Sequence, residues 1–299
     1  EILVVGLGLV GKKLQIESTG AQIDTAALLT TLTNMGASGE VDEVIKLPSK
    51  SNKLIVFTGL GKIESNFSPE LLRRAAGAAA RHLLGNDSAS FALPHKSVAE
   101  IAAIAEGAAL GSYAFTEFRG SSKGAQKNPL SSITVVTRFA NTAQAKTAIK
   151  RAEIIAEQTF LVRDLINTPP SSLTPDSFCL RTKKLASKYG VKVEILNDAA
   201  LRKGGYGGII GVGQGSANPP RLLHLTYSPA KAKKRFAFVG KGITFDTGGL
   251  ALKPANGMEA MKADMSGAAA VVAAIFAIAQ LKLPIAIDAW APLAENMVS

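Results

Sequence analysis

The chain has 299 residues, 47% of them hydrophobic and 19% charged, with a formal net charge of +11. So much apolar material excludes intrinsic disorder, and at about 150 residues per domain the length suits two domains or one large one. No apolar run reaches the roughly 18 residues of a membrane span, and the most apolar stretch, residues 268–283, reads as a buried helix.

The chain starts at Glu1 with no visible secretory signal. Its single cysteine, Cys179, has no internal disulfide partner, which fits a reducing, cytoplasmic compartment. It falls in a helix-like stretch, residues 176–189, and reads as a small core residue rather than a nucleophile. The positive charge raises nucleic-acid binding as a possible activity. Yet the basic residues are scattered, and the cluster Lys231, Lys233, Lys234 and Arg235 reads as a solvated turn before a strand.

In chain order, β-branched runs at residues 2–5, 54–58 and 133–137 predict strands among alanine-rich helices. Ser68 followed by Pro69 opens a helix that should run to about Leu84 and stop at Gly85. An amphipathic stretch from Thr142 to about Ile166 ends at Asn167-Thr168-Pro169-Pro170, because proline neither continues a helix nor tolerates one before it. Thr174-Pro175-Asp176 starts another helix. Strands follow at residues 191–196, 222–227 and 236–239, then a helix from about Ser266 and a strand at 285–291. This alternation predicts an α/β fold with an N-terminal domain at residues 1–145, a connecting helix at 146–168 and a second α/β domain at 169–299.

Three glycine-rich segments resemble nucleotide loops. Gly6-Leu7-Gly8-Leu9-Val10-Gly11 follows a strand, but the next six residues alternate like a second strand, so a hairpin or loop is expected instead of a dinucleotide fold. After Gly211-Val212-Gly213-Gln214-Gly215-Ser216, Pro219 and Pro220 close the segment before any helix can form. Gly59-Leu60-Gly61-Lys62 lacks P-loop spacing, and its glycines read as turns or close backbone packing.

The chemistry lies in residues 236–267. An apolar strand ends at Gly240, Lys241 follows, and Asp246, Lys253 and Asp264 come after it among glycines and apolar residues. Divalent ions take carboxylate oxygens, and one carboxylate can bridge two ions. Lysine can ligate a metal only as the neutral amine, which burial and a neighbouring cation both favour. Spacing alone fits either a metal centre or a lysine–aspartate salt-bridge network. The apolar neighbours Phe245, Leu250, Leu252, Met258, Met261 and Met265 suit a pocket, but they suit a core as well. His82, His95 and His224 have no ligand spacing among them.

This segment is very similar to the signature of the leucyl aminopeptidase (M17, cytosol aminopeptidase) family. The resemblance extends to Arg163-Asp164-Leu165-Ile166-Asn167-Thr168-Pro169-Pro170, to Gly207-Gly208-Ile209-Ile210-Gly211-Val212-Gly213-Gln214-Gly215 and to Pro292-Leu293-Ala294-Glu295-Asn296-Met297. It implies a smaller, macro-like N-terminal α/β domain and a C-terminal catalytic domain. It also implies a cytoplasmic homohexamer that releases N-terminal residues, leucine preferred, from peptides with two divalent ions, Mn2+ or Zn2+. In that pattern Lys241, Asp246 and Asp264 are metal ligands, with Asp246 bridging. Lys253 polarises the scissile carbonyl and stabilises the gem-diolate, and Met261 lines the pocket for the first side chain. Some family members also bind DNA. The family's Asn-Thr-Asp-Ala-Glu-Gly-Arg block should follow shortly after Met297, yet the chain stops at Ser299. By the resemblance, this chain alone has an incomplete catalytic domain, binds metal weakly and is nearly inactive.

Overall fold

The structure, a computed structural model, describes residues 2–49 and 54–298. The chain divides into two compact units, Glu1–Ala156 and Glu157–Ser299, and the division falls within one long helix.

The first unit is built on β1 (Ile2–Val10), whose first seven residues are all buried. β2 (Lys13–Glu17) folds back on it antiparallel, β3 (Val44–Pro48) pairs antiparallel with β4 (Leu54–Lys62), and β5 (Ser88–Phe91) and β6 (Ser132–Val135) complete the sheet. The order is β3-β4-β1-β5-β6, and β4, β1, β5 and β6 run parallel. Alternate residues of β1 serve two cores. Ile2 and Val4 pack with α2 (Pro69–Arg81) and α3 (Val98–Gly111), while Leu3, Val5 and Leu7 pack with Leu32 of α1 (Thr25–Asn34). A strand covered on both faces needs apolar residues at every position, which is why β1 shows no polar alternation.

β1 continues through Gly6 and Gly8, so no helix opens on the first glycine-rich segment. The hairpin is tighter than the sequence implied. Val10 pairs with Lys13, leaving a two-residue turn in which Gly11 takes φ 61°, a conformation suited to glycine at the first turn position. Gly59 and Gly61 lie inside β4, where a Cβ on Gly59 would fall 1.7 Å from Glu40 O.

Helix starts follow local chemistry. Ser68 Oγ accepts from Leu71 N at 3.1 Å with Pro69 in the first turn, and α2 ends at Arg81, a turn short of Gly85. α3 carries a capping box in which Ser97 Oγ accepts from Glu100 N and the Glu100 carboxylate accepts from Ser97 N at 2.8 Å. Partial burial pushes the Glu100 pKa up. The N–H groups of Lys96 and Ser97, the Ser97 hydroxyl and the His95 charge outweigh it and hold the carboxyl below its ordinary 4.5. A lowered folded value contributes stability that is complete above the unfolded value and is lost as pH falls through the folded one. Glu100→Ala is therefore expected to cost about 0.3–1.5 kcal/mol at neutral pH. In thermal melts the gap to wild type should close as pH is taken below that ordinary value; an equal gap at pH ~7 and pH ~3 would overturn the reading.

A single helix, α4 (Ala143–Asn167), runs to the double proline as expected. In the second unit α5 (Pro175–Tyr189) starts at a Thr174 cap and ends at Gly190 in the left-handed conformation. The sheet contains β7 (Lys192–Leu196), β8 (Arg221–Tyr227), β9 (Arg235–Val239), β10 (Gly242–Asp246) and β11 (Ala286–Asn296). Its order is β10-β11-β8-β7, and β9 also pairs with β11. β9 and β10 both run parallel to β11, while β8 is antiparallel to it. Ile287, Ala289, Ala291 and Leu293 of β11 form a core with Phe178 of α5 and with Val272, Ile275 and Phe276 of α8 (Ser266–Gln280).

Four features depart from the sequence reading. A short α7 (Gly207–Gly213) follows α6 (Asp198–Lys203), so the second glycine-rich segment begins inside a helix although none follows it. Four glycines in seven residues argue against helix; packing against β11 and the Pro220 ring supplies what propensity lacks. The strand ending at Gly240 is followed at once by β10, and β11 runs five residues past Ala291, to Asn296. Finally, a 3-10 turn, Met258–Ala263, joins α8 in a helical stretch, Met258–Gln280, that is long and apolar enough by length and composition to cross a membrane. Half of its apolar window is buried in the fold, and α8 itself is a core helix of 15 residues.

Candidate active site

The site residues lie at the two ends of β10, Lys241 and Asp264 at its break with β9 and Asp246, Lys253 and Met261 at its carboxyl end. Gly240 and Lys241 form that break, and β11 runs beside both strands. The first turn of α8 packs directly on it. Ala268 N donates to Lys241 O at 2.8 Å, and a Cβ on Gly240 would fall 2.3 Å from Gly267 O. The Lys241 carbonyl thereby satisfies one of the free N–H groups that open a helix. Asp264 lies just before α8, and its carbonyl accepts from Ile243 N at 3.2 Å. These backbone contacts bring the Lys241 and Asp264 side chains together, with Nζ 3.1 Å from Oδ2.

Asp246 is the last residue of β10, followed by Gly248 and Gly249 at φ 90° and 66°. That left-handed pair turns the chain sharply, and Lys253 N donates to Thr247 O at 2.9 Å, closing a loop. Lys253 Nζ then donates to Asp246 Oδ2 at 2.5 Å and lies 3.3 Å from both Asp246 O and Met261 Sδ. Asp246 Oδ1 accepts from Gly248 N at 2.9 Å and from Asn296 Nδ2 at 2.7 Å. Burial pushes the Asp246 pKa up, but Lys253, the Gly248 N–H and Asn296 outweigh it and hold it down at about 2.

All five sequence-derived residues thus fall in one segment of the second unit. The structure joins Asp246, Lys253 and Met261 in one group and Lys241 with Asp264 in another. Asn296 had no role assigned from sequence. Fifty positions separate it from Asp246, and only the parallel pairing of β10 with β11 makes them neighbours.

One atom bears on metal binding. Asp264 Oδ2 is buried and accepts no hydrogen bond; its approach to Lys241 Nζ brings charges together without aligned donor geometry. A buried carboxylate oxygen left so is costly unless something else takes its lone pairs. Two carboxylates and a lysine amine fit a hard or borderline divalent ion. Among the described residues no group of three or more His, Cys, Asp and Glu is placed to hold a metal, so the fit is that of part of a centre.

The other reactive groups are engaged elsewhere. His82 and His95 bond backbone carbonyls, and His224 stacks on Trp290 at 3.7 Å while its Nε2 lies 3.1 Å from Asp288 Oδ1. Burial pushes the Cys179 thiol up to about 12 against the opposing Arg221 charge, so it is inert. A cleft of about 770 Å³, lined in part by Arg73, Glu106 and Arg151, belongs wholly to the first unit.

Residues 160–299 match the family model described as the cytosol aminopeptidase family, catalytic domain, and residues 4–122 match the same family's N-terminal domain. The chain belongs to the cytosol aminopeptidase family. A relative from Streptomyces coelicolor, named "Probable cytosol aminopeptidase", is 47% identical over 293 residues, covering 92% of this chain and 56% of its own length. One of the same name from Streptomyces griseus is 43% identical and covers all of this chain and 62% of itself. Among solved structures, the bottromycin maturation enzyme BotP in complex with Mn superposes with a TM-score of 0.81 at 34% identity, covering 99% of this chain and 60% of that one. A mutant of tomato leucine aminopeptidase gives 0.80 at 25% identity, covering 100% and 60%. This member of the family therefore spans a little over half the length of the curated relatives it matches.

Proposed function

We propose that the protein carrying this chain is a two-metal aminopeptidase that removes N-terminal residues, leucine preferred, from peptides. The buried Oδ2 of Asp264, which meets Lys241 Nζ as an ion pair but accepts no hydrogen bond, carries the reading in a member of the cytosol aminopeptidase family. Lys241, Asp246 and Asp264 would hold the ions, with Asp246 as the shared ligand. Bound Mn2+ or Zn2+ supplies Lewis acidity, polarising the peptide carbonyl and making water a better nucleophile at neutral pH.

The chain's own residues do the rest. Lys253 Nζ, held by Asp246 and bordered by Met261 Sδ, presents an ammonium donor to the scissile carbonyl oxygen as negative charge develops there. Met261 borders the space for the first side chain. Glycines 248 and 249 bring backbone close to Asp246 and supply the Gly248 N–H that holds its other oxygen. The family resemblance supports a cytoplasmic homohexamer. The +11 charge supports DNA binding as a secondary activity.

The test is hydrolysis of leucine amide by the protein with any natural sequence beyond Ser299 included. Activity should vanish on chelation and return with Mn2+ or Zn2+; no turnover with either ion overturns the reading. A mobility-shift series starting near 50 mM salt tests the DNA activity, which fails if no complex forms there.

A further inference from the structure

We infer that Asn296 is a positioning residue that fixes the Asp246 carboxylate so that only Oδ2 is offered to the metal site; the inference rests on the metallo-aminopeptidase reading above. Asp246 and Asn296 are paired neighbours at the carboxyl ends of the parallel strands β10 and β11. Asn296 Nδ2 donates to Asp246 Oδ1 at 2.7 Å, and Gly248 N donates to the same oxygen at 2.9 Å. Two neutral donors occupy the two lone pairs of Oδ1. Oδ2 has Lys253 Nζ as its partner, a flexible ammonium that can turn away toward a substrate. The carboxylate plane is therefore set by groups that stay in place, and the oxygen left over is the one whose partner can move.

Asn296 is itself locked. Its backbone carbonyl accepts from Thr247 N at 3.0 Å and from Thr247 Oγ1 at 2.8 Å. Its Oδ1 occupies the space beside residue 249, where a Cβ would come within 2.8 Å, so Gly249 leaves room for it. The preceding residue, Glu295, is buried and holds the strand end from the other side, accepting from Ser216 Oγ and from Asn218 Nδ2 at 2.9 Å. Asparagine fits this position because the amide is a donor of the right reach. Aspartate has the same shape but would set an acceptor against Asp246 Oδ1, and alanine would leave that oxygen to Gly248 alone.

Groups that orient a metal ligand typically cost 10–100-fold in metal affinity when removed. In the metal-stripped protein, Asn296→Ala is expected to raise the Mn2+ dissociation constant by about that factor. The melting temperature of the metal-free protein should stay close to wild type, and leucine amide turnover should fall in kcat more than it changes in KM. Asn296→Asp, which preserves side-chain volume, should show the same loss of Mn2+ affinity and serves if the alanine variant folds poorly. Mn2+ affinity within about two-fold of wild type in either folded variant overturns the positioning role while leaving the aminopeptidase reading intact. If the wild-type protein neither binds Mn2+ nor hydrolyses leucine amide, the aminopeptidase reading fails at that control and the inference falls with it.

Discussion

Lys253→Ala is expected to lower kcat for leucine amide by about 10²–10³-fold, the usual cost of removing one preorganised donor to a developing oxyanion. Lys253 Nζ has Asp246 Oδ2, Asp246 O and Met261 Sδ around it, so the ammonium is stationed beside the site and has only to turn from Oδ2 toward the substrate carbonyl. Loss of a contact that strengthens only as charge develops lowers kcat without raising KM. The same substitution removes the ammonium that competes for Asp246 Oδ2, so metal retention should hold in Lys253→Ala and fall in Asp264→Ala. Lys231→Ala, in the exposed turn before β9, is the control and should leave kcat unchanged. Turnover within about three-fold of wild type in Lys253→Ala would remove this lysine from the chemistry.

Gly240→Ala should be strongly damaging to the second unit. The added methyl would sit 2.3 Å from Gly267 O, 2.5 Å from Gly267 C and 2.8 Å from Ala268 N. All three are backbone atoms, so no side chain can swing aside. Overpacking of this kind costs about 1–3 kcal/mol, and relief requires moving the first turn of α8 away from the β9–β10 break. That movement separates Lys241 from Asp264, because the Ala268 N–H to Lys241 O bond holds them together. Chemical denaturation should show the stability loss, and Mn2+ affinity should fall with it. Gly211→Ala is the contrast: it lies in α7 with nothing within 4 Å of the added methyl, and alanine there should be neutral or slightly stabilising. Equal stability of the Gly240→Ala and wild-type proteins would show that the break is not a close-packed joint.

Much of the fold was legible because its signals are local. Ser68-Pro69, Thr174-Pro175 and Gly190 mark helix ends through hydrogen bonds and φ angles confined to a few residues. The run at residues 2–5 marks a strand because both its faces are buried. β10 was not legible. Its five residues, Gly242–Asp246, form a short run that opens on a glycine and is separated from β9 only by Gly240 and Lys241, and pairing with β11 is what makes them a strand of their own. α7 was illegible for the converse reason, since its glycines disfavour the helix that tertiary packing imposes.

The aminopeptidase signature shows the same division. Sequence alone determined that Lys241, Asp246, Lys253, Met261 and Asp264 occur together in a glycine-rich segment, with the lysines and carboxylates that a divalent site requires. Spacing left a metal centre and a plain ion-pair network equally open until the family resemblance favoured the metal, because spacing along a chain does not say which oxygen is satisfied. Tertiary structure decided that both oxygens of Asp246 are engaged and that Oδ2 of Asp264 has no hydrogen bond. It also gave a contact to Asn296, which the sequence placed in a family-like block without a role. Hydrogen-bond satisfaction belongs to atoms that meet in space, and here they arrive from separate strands and a helix start.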